Sequence, residues 1–258
     1  MSHNGVMLRS ICAFLLLIMF LALPAGAQQK VDLELILLAD GSGSIDDEEF
    51  LLQRRGYAQA LRHPRVIGAI RNGALGRIAL TYVEWSGSFL HVPIVPWSMI
   101  RNKADIAAFA KQLEQKPREL DGGGTAVGAA ILYGAKSLRE NKFAGKRRVI
   151  DISGDGADKD GVPAIFGRDQ AVAEGLTVNG LPILDSERPY LDMFYMDNVI
   201  GGPGAFSIMA KGFKDFYRAV LTKLIREIAD NTHAPQTDAP DSQTAKNTGP
   251  PDEPYANQ

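Results

Sequence analysis

Residues Leu33–Phe50 read LELILLADGSGSIDDEEF. An apolar run ends at Asp40, and a serine follows at every second position, Ser42 and Ser44, with Gly41 and Gly43 between them. In extended backbone, residues i, i+2 and i+4 point the same way, so one carboxylate and two hydroxyls can converge. The glycines let the chain bend tightly and leave room for an ion. Such oxygen donors suit a hard cation: Mg²⁺ takes six oxygens at ~2.0–2.1 Å and surrenders its waters reluctantly. One carboxylate would leave much of that charge uncompensated, so the ion would still seek an anion. The same residues also have a purely structural reading. Ser44 with Asp47 resembles a helix capping box, and the acids Asp46–Glu49 favour the positive end of a helix.

Two later stretches raise the same choice. Gly122-Gly123-Gly124 leads into Thr125, either a helix N-cap or an oxygen donor. Gly154-Asp155-Gly156 follows the strand-like run Arg148–Ile152, and Asp155 is either a turn residue or a second carboxylate.

The elements around these residues decide whether they can meet. Val31–Ala39 is nearly all apolar, as in a central strand covered on both faces. Ile45–Leu61 has helical spacing, with Phe50, Leu51, Tyr57, Ala58 and Leu61 on the inward side, and Pro64 stops it. Gly76–Trp85 and Phe89–Trp97 read as strands joined by a tight hairpin at Ser86-Gly87-Ser88. Pro93 and Pro96 push the second strand to a sheet edge, because proline cannot donate to the ladder. Lys103–Gln115 is an amphipathic helix with Ile106, Phe109, Ala110 and Leu113 as its stripe. A helix starting near Thr125, a strand at Arg148–Ile152, a helix at Pro163–Glu174 and a strand at Leu176–Leu184 come next. After a mixed stretch come a final strand, Ala205–Ala210, and a final helix, Phe213–Ala229. This alternation predicts an α/β fold: a doubly wound, mostly parallel central sheet with one antiparallel edge strand. Ligands of such sheets bind beyond the carboxyl ends of the strands, and Asp40 and Asp155 each sit just past one.

With these motifs in this order, the chain resembles the von Willebrand factor A domain and its metal-ion-dependent adhesion site. DGSGS matches that site's opening motif at Asp40, Ser42 and Ser44, GGGT its threonine loop at Thr125, and ISGDG its late aspartate at Asp155. The resemblance covers nearly the whole chain between its two ends and is nearest to a bacterial exported branch of unknown function. It implies that Asp40, Ser42, Ser44, Thr125 and Asp155 hold Mg²⁺, with Mn²⁺ or Ca²⁺ as alternatives. It also implies that one open position takes a carboxylate from a protein or peptide partner, without catalysis. One departure stands out: the family usually has Thr-Asp-Gly at the last motif, whereas Gly154 precedes Asp155 here.

Composition sets the frame. The 258 residues are 45% hydrophobic with a net charge of −2, enough for one full core and giving no electrostatic case for nucleic acid. Arg9, the apolar run Ile11–Leu23 and the exit Pro24-Ala25-Gly26-Ala27 describe a secretory signal peptide over residues 1–27. That run is too short to span a membrane comfortably. The single cysteine, Cys12, lies within it, so the exported chain would have no disulfide, thiol nucleophile or cysteine metal site. Residues 232–258 are rich in Pro, Asp, Thr, Gln and Asn and nearly lack aliphatics, which predicts a disordered tail. The A-like domain then spans residues 28–231, and a periplasmic or secreted location is expected.

Rival chemistries fit less well. No Gly-x-Ser-x-Gly or His-Glu-x-x-His occurs. A strand-end aspartate nucleophile would want a second acid two residues on, where Ser42 stands. Asp46 occupies the third glycine's place in a dinucleotide fingerprint. The loop starting at Asp151 resembles a calcium loop but has Val162 at its twelfth position, leaving at most a lesser site at Asp155, Asp158 and Asp160 or a solvated acidic turn. His63 and His91 read as surface or packing residues, Trp85 and Trp97 as core. Gly201-Gly202-Pro203-Gly204 reads as a loop for tight backbone passage that could border the site.

Overall fold

A computed structural model describes residues 28–229 except Asp121; the expected signal peptide and tail lie outside the described residues. Five strands, β1 (Gln29–Asp40), β2 (Ile78–Trp85), β3 (His91–Ile100), β4 (Phe143–Gly154) and β5 (Thr177–Pro182), form one sheet in the order β3-β2-β1-β4-β5. All neighbours are parallel except β2 and β3. The helices are α1 (Asp47–Leu61), α2 (Pro64–Arg71), α3 (Lys103–Gln115), α4 (Val127–Glu140), α5 (Ala164–Ala173), the short α6 (Leu191–Phe194) and α7 (Phe216–Ile228). The fold class expected from the alternation is the observed one.

β1 shows why the apolar run is unbroken. Leu33, Leu35 and Leu37 enter one core layer with Tyr57, Val66, Phe109, Phe216 and Leu224. Ile36 and Leu38 enter the other, with Val127, Ile131, Ala171 and Tyr195. Both faces of the strand are covered, so no position is left for a polar alternation. The acids at its start tie the lower edge. Asp32 accepts from the N–H of Leu75, and Glu34 accepts from Gly145 N–H and Asn141 Nδ2. Arg147, opposite Leu33, donates to the carbonyls of Glu227 and Ile228, so α7 ends at that same edge.

Several expectations shift. Leu51 is 46% exposed and does not belong to the α1 stripe, whereas Phe50, Tyr57, Ala58 and Leu61 are buried. α1 starts at Asp47 rather than Ile45, because Asp46 and Glu49 form the capping box and Ser44 takes no part in it. α4 starts at Val127, so Thr125 is not its cap. The hairpin turn runs Ser86–Leu90, closed by Ser86 N–H to the Leu90 carbonyl, and Phe89 stands exposed at its tip. Pro93 lies where the β2–β3 register slips, and β3 is the edge strand as its prolines require. β4 begins five residues before the expected Arg148, stitched by Asn141 and Glu34. Residues 205–210 do not form a full strand. They pair through isolated bridges, Ser207 opposite Gly180 of β5 and Ala210 opposite Ile183 just past its end, since the Phe206 N–H is taken by the Asn179 side chain and Pro182 has none to give. The mixed stretch holds α6 and a π-helical turn, Tyr195–Val199. Trp85 is fully buried, and the half-buried Trp97 donates to Ser137 Oγ.

One polar cluster sits inside the first layer. Lys223 Nζ of α7 lies 2.6 Å from Asp151 Oδ2 of β4 and 2.6 Å from Glu227 Oε1, and Asn179 Nδ2 also donates to Glu227 Oε1. All four are buried. Burial, reinforced by the charge of Asp151, pushes the Glu227 carboxyl up to about 8 despite Lys223. A carboxyl that holds its proton more tightly when folded stabilises the fold fully below its ordinary value near 4.5, and that contribution fades as pH rises towards 8. Unfolding free energy should therefore fall over that window, and Glu227→Gln should flatten the fall. Urea titrations at pH 5, 6.5 and 8 read the difference. An unchanged slope in the variant refutes the assignment.

Candidate metal centre

β1 and β4 are parallel neighbours with Ala39 opposite Ser153. This register brings Asp40 and the Gly154-Asp155 turn out of the sheet side by side. The next helices, α1 after β1 and α5 after β4, lie on opposite faces, so the two aspartates flank the point where the winding reverses.

Asp40 is fully buried, and its Oδ1 accepts from Ser42 N–H at 2.8 Å. Its Oδ2 has no partner among the described residues. Burial, then the neighbouring Asp155, raises the Asp40 carboxyl from 3.8 to about 7. Ser42 Oγ lies 3.3 Å from Ser44 Oγ, and Ser44 Oγ donates to Asp155 Oδ1 at 2.8 Å. Ser44 is thus a cup residue by position, joined to the late aspartate rather than to its own helix.

Thr125 reaches the same locale from the glycine loop. Gly122 and Gly123 have φ of 118° and 97°, backbone that L side chains rarely adopt. Ser86 Oγ donates to the carbonyls of Gly122 and Gly124, and Gly43 N–H to that of Gly123. A Cβ at residue 156 would lie 3.5 Å from Thr125 Oγ1, so Thr125 packs against the turn carrying Asp155. Asp40, Ser42, Ser44 and Asp155 form one connected group, and Thr125 borders it.

Gly154 also has a steric reason. A Cβ there would sit 2.7 Å from Asp40 Oδ2, so a threonine at this position would collide with the carboxylate. Ser153 is no substitute. It faces the other layer, where its Oγ accepts from the Tyr57 hydroxyl. The residues fit a hard cation by one observation in particular: an orphaned, buried carboxylate oxygen stands beside two hydroxyls and a second carboxylate. Burying an anionic oxygen without a partner is costly, and a cation would relieve it.

Sequence reading missed three residues here. Arg188 Nη1 donates to Asp155 Oδ2 at 2.9 Å and to its carbonyl at 2.6 Å. Tyr195, on the π-helical turn, is fully buried, its hydroxyl has no partner among the described residues, and Asp40 adds to the burial that raises its pKa. Arg54 pairs with Glu84 and donates to the carbonyls of Leu113, Lys116 and Pro117, fastening the segment before the glycine loop. Arg188 and Tyr195 sit in a stretch with no periodicity, and nothing local marks them.

Other candidates fall elsewhere. Asp158 accepts from the N–H groups of Gly128 and Ala164, and Asp160 from Ser88. Their oxygens serve helix starts and the hairpin, so Asp155, Asp158 and Asp160 do not make a lesser calcium site. Among the described residues, no group of three or more His, Cys, Asp or Glu could hold a metal; the cup differs in relying on hydroxyls. His63 caps α2 and His91 stacks on Tyr133. A Cβ on Gly202 would collide with the Leu176 carbonyl, which places that loop at the start of β5, away from the cup.

A family model described as "Protein of unknown function (DUF1194)" matches residues 30–232. The chain belongs to this family. DUF1194 here takes the von Willebrand A fold. Proximal thread matrix protein 1 from the mussel byssus is 19% identical at a TM-score of 0.54, covering 77% of this chain and 48% of its own. Another structure of that protein has a zinc-occupied MIDAS motif. The pilus adhesin SpaC from Lactobacillus rhamnosus GG is 16% identical at 0.56, covering 79% and 31%. BatB from Bacteroides thetaiotaomicron is 16% identical at 0.52, covering 76% and 98%. The chain thus spans about half the length of the mussel protein and a third of SpaC. No curated protein matches it by sequence. No helix among the described residues is long and apolar enough to cross a membrane.

Proposed function

We propose that this DUF1194 protein is an exported, divalent-cation-dependent binding domain. Asp40, Ser42, Ser44, Thr125 and Asp155 would hold Mg²⁺, with Mn²⁺ or Ca²⁺ able to replace it. The bound ion would supply one open position of positive character for a carboxylate of a protein or peptide partner. The orphaned Oδ2 of Asp40 carries this reading. Ser42 and Ser44 orient further oxygens, and the glycine loop holds Thr125 against the Asp155 turn. Zinc at the equivalent motif of the mussel protein and the adhesin role of SpaC point the same way. The contact is taken as non-catalytic, because His63 caps α2 and His91 stacks on Tyr133, and the carboxylates of the cup, Asp40 and Asp155, would be committed to the cation. The domain would comprise residues 28–231 after loss of the leader.

Isothermal titration of the purified protein with MgCl₂ and MnCl₂ tests this. Saturable binding at millimolar metal or below is expected, and its absence would count decisively against the proposal. A second reading is a scaffold whose cup is vestigial. It is favoured by an open apolar groove of about 460 Å³ between the hairpin tip and α4, lined by Phe89, His91, Leu132, Tyr133 and Val162. Partner capture that is unaffected by chelator would select it.

A further inference from the structure

The Arg188 contact bears directly on how a cation would enter the cup, a question that rests on the cation-binding reading. Asp155 is nearly buried and has both carboxylate oxygens engaged: Oδ1 by Ser44 and Oδ2 by Arg188 Nη1. The guanidinium is therefore a fixed positive charge on a carboxylate that a divalent ion in the cup would also draw upon. Two cations sharing one carboxylate repel each other, and the repulsion is strongest where water is scarce.

The segment carrying Arg188 is built to let go. Asp185 Oδ1 accepts from the N–H groups of Glu187 and Arg188, so that turn is held within the segment. Leu184 N–H donates to the Ala210 carbonyl at one end, and Leu191 is buried at the other. Residues 185–187, 189 and 190 are exposed. Among the described residues, the segment's only hydrogen bonds to the β4 edge come from the Arg188 guanidinium.

We propose that Arg188 is a tethered counter-cation that competes with the divalent ion for Asp155, so that ion loading and release of the Asp185–Tyr190 segment are one equilibrium. A freed Arg188 would stand at the rim of the loaded cup, where it adds to the site's demand for an acidic partner.

Titration of wild type, Arg188→Gln and Arg188→Lys with MgCl₂ and MnCl₂ tests this. Arg188→Gln should bind either metal about tenfold more tightly than wild type, which is about 1.4 kcal/mol. Arg188→Lys keeps the charge and should stay within about twofold of wild type. Glu-C scission after the exposed Glu187 gives a second readout. Mg²⁺ should speed it in wild type, while Arg188→Gln should be cut quickly with or without metal. Equal or weaker binding by Arg188→Gln overturns the proposal and makes Arg188 a positioning residue for Asp155. Scission in wild type that Mg²⁺ leaves unchanged or slows overturns the coupling to the segment. If no protein in the series binds metal, both this proposal and the cation-binding reading fail.

Discussion

Lys223→Met should lower the unfolding free energy by about 3–5 kcal/mol, the cost of leaving buried charges without their counter-ion. Asp151 and Glu227 both approach the ammonium at 2.6 Å, and neither carboxylate is exposed to water. Among the described residues Asp151 Oδ1 and Glu227 Oε2 already lack partners, and Asn179, which still donates to Glu227, carries no charge. The expected loss is largest at pH 8, where Glu227 is most ionised. At pH 5 the protonated Glu227 should soften it. Adding Asp151→Asn and Glu227→Gln to Lys223→Met should recover a good part of the loss, because the triple variant buries no net charge. Denaturant midpoints at constant m-value measure it. A loss under about 1 kcal/mol at pH 8 would mean that water reaches the cluster.

Asp40→Asn should act in opposite directions on binding and stability. It should abolish saturable Mg²⁺ binding, since it neutralises the only fully buried carboxylate of the cup. In chelator it should stabilise the fold. Keeping Asp40 ionised at pH 8, against a pKa raised from 3.8 to about 7 by burial and Asp155, costs on the order of 4 kcal/mol. The amide keeps Oδ1 as acceptor for Ser42 N–H and removes the charge, so a gain of about 2 kcal/mol is expected at pH 8, with little at pH 4. The sign is fixed by the direction of the shift. A raised carboxyl stabilises the fold below 3.8 and loses that contribution as pH passes 7. Thermal melts of both proteins with excess chelator read this directly. Destabilisation by Asp40→Asn at pH 8 would make the carboxylate a structural anchor. Asp40 and Glu227 both steepen the wild-type pH dependence, and the two variants separate their shares.

Most of the frame was legible because its causes are local. The unbroken apolar run of β1 states that both its faces are covered, and the prolines of β3 state that it has a free edge. The glycine-serine alternation after Asp40 draws attention to this segment for a reason the fold does not use: residues 42–45 are a turn closed by Ile45 N–H to the Ser42 carbonyl, not extended backbone. What stayed hidden depends on distant residues. Ser44 looked like half of a capping box, yet Asp46 makes that box and Ser44 bonds to Asp155, 111 positions away. Leu51 fell on the expected stripe but is 46% exposed, at the rim of a pocket it lines with Glu114 and Lys116. Ala205–Ala210 had strand-like composition, but the Asn179 side chain intercepts its backbone. Arg188 and Tyr195 carry no local signal at all, and Lys223 only its spacing of four from Glu227. Arg188 and Lys223 matter through Asp155 and Asp151, which only the tertiary fold brings to them.

The two ends of the described domain lie at one pole. β1 begins beside Phe143, and Arg147 clasps the last carbonyls of α7 at that same edge, while Asp40 and Asp155 emerge at the other. Strand rise puts roughly 25–35 Å between the poles. A stalk joined at Gln29 or at Ile228 would therefore hold the cup facing outward, whichever end bears the load.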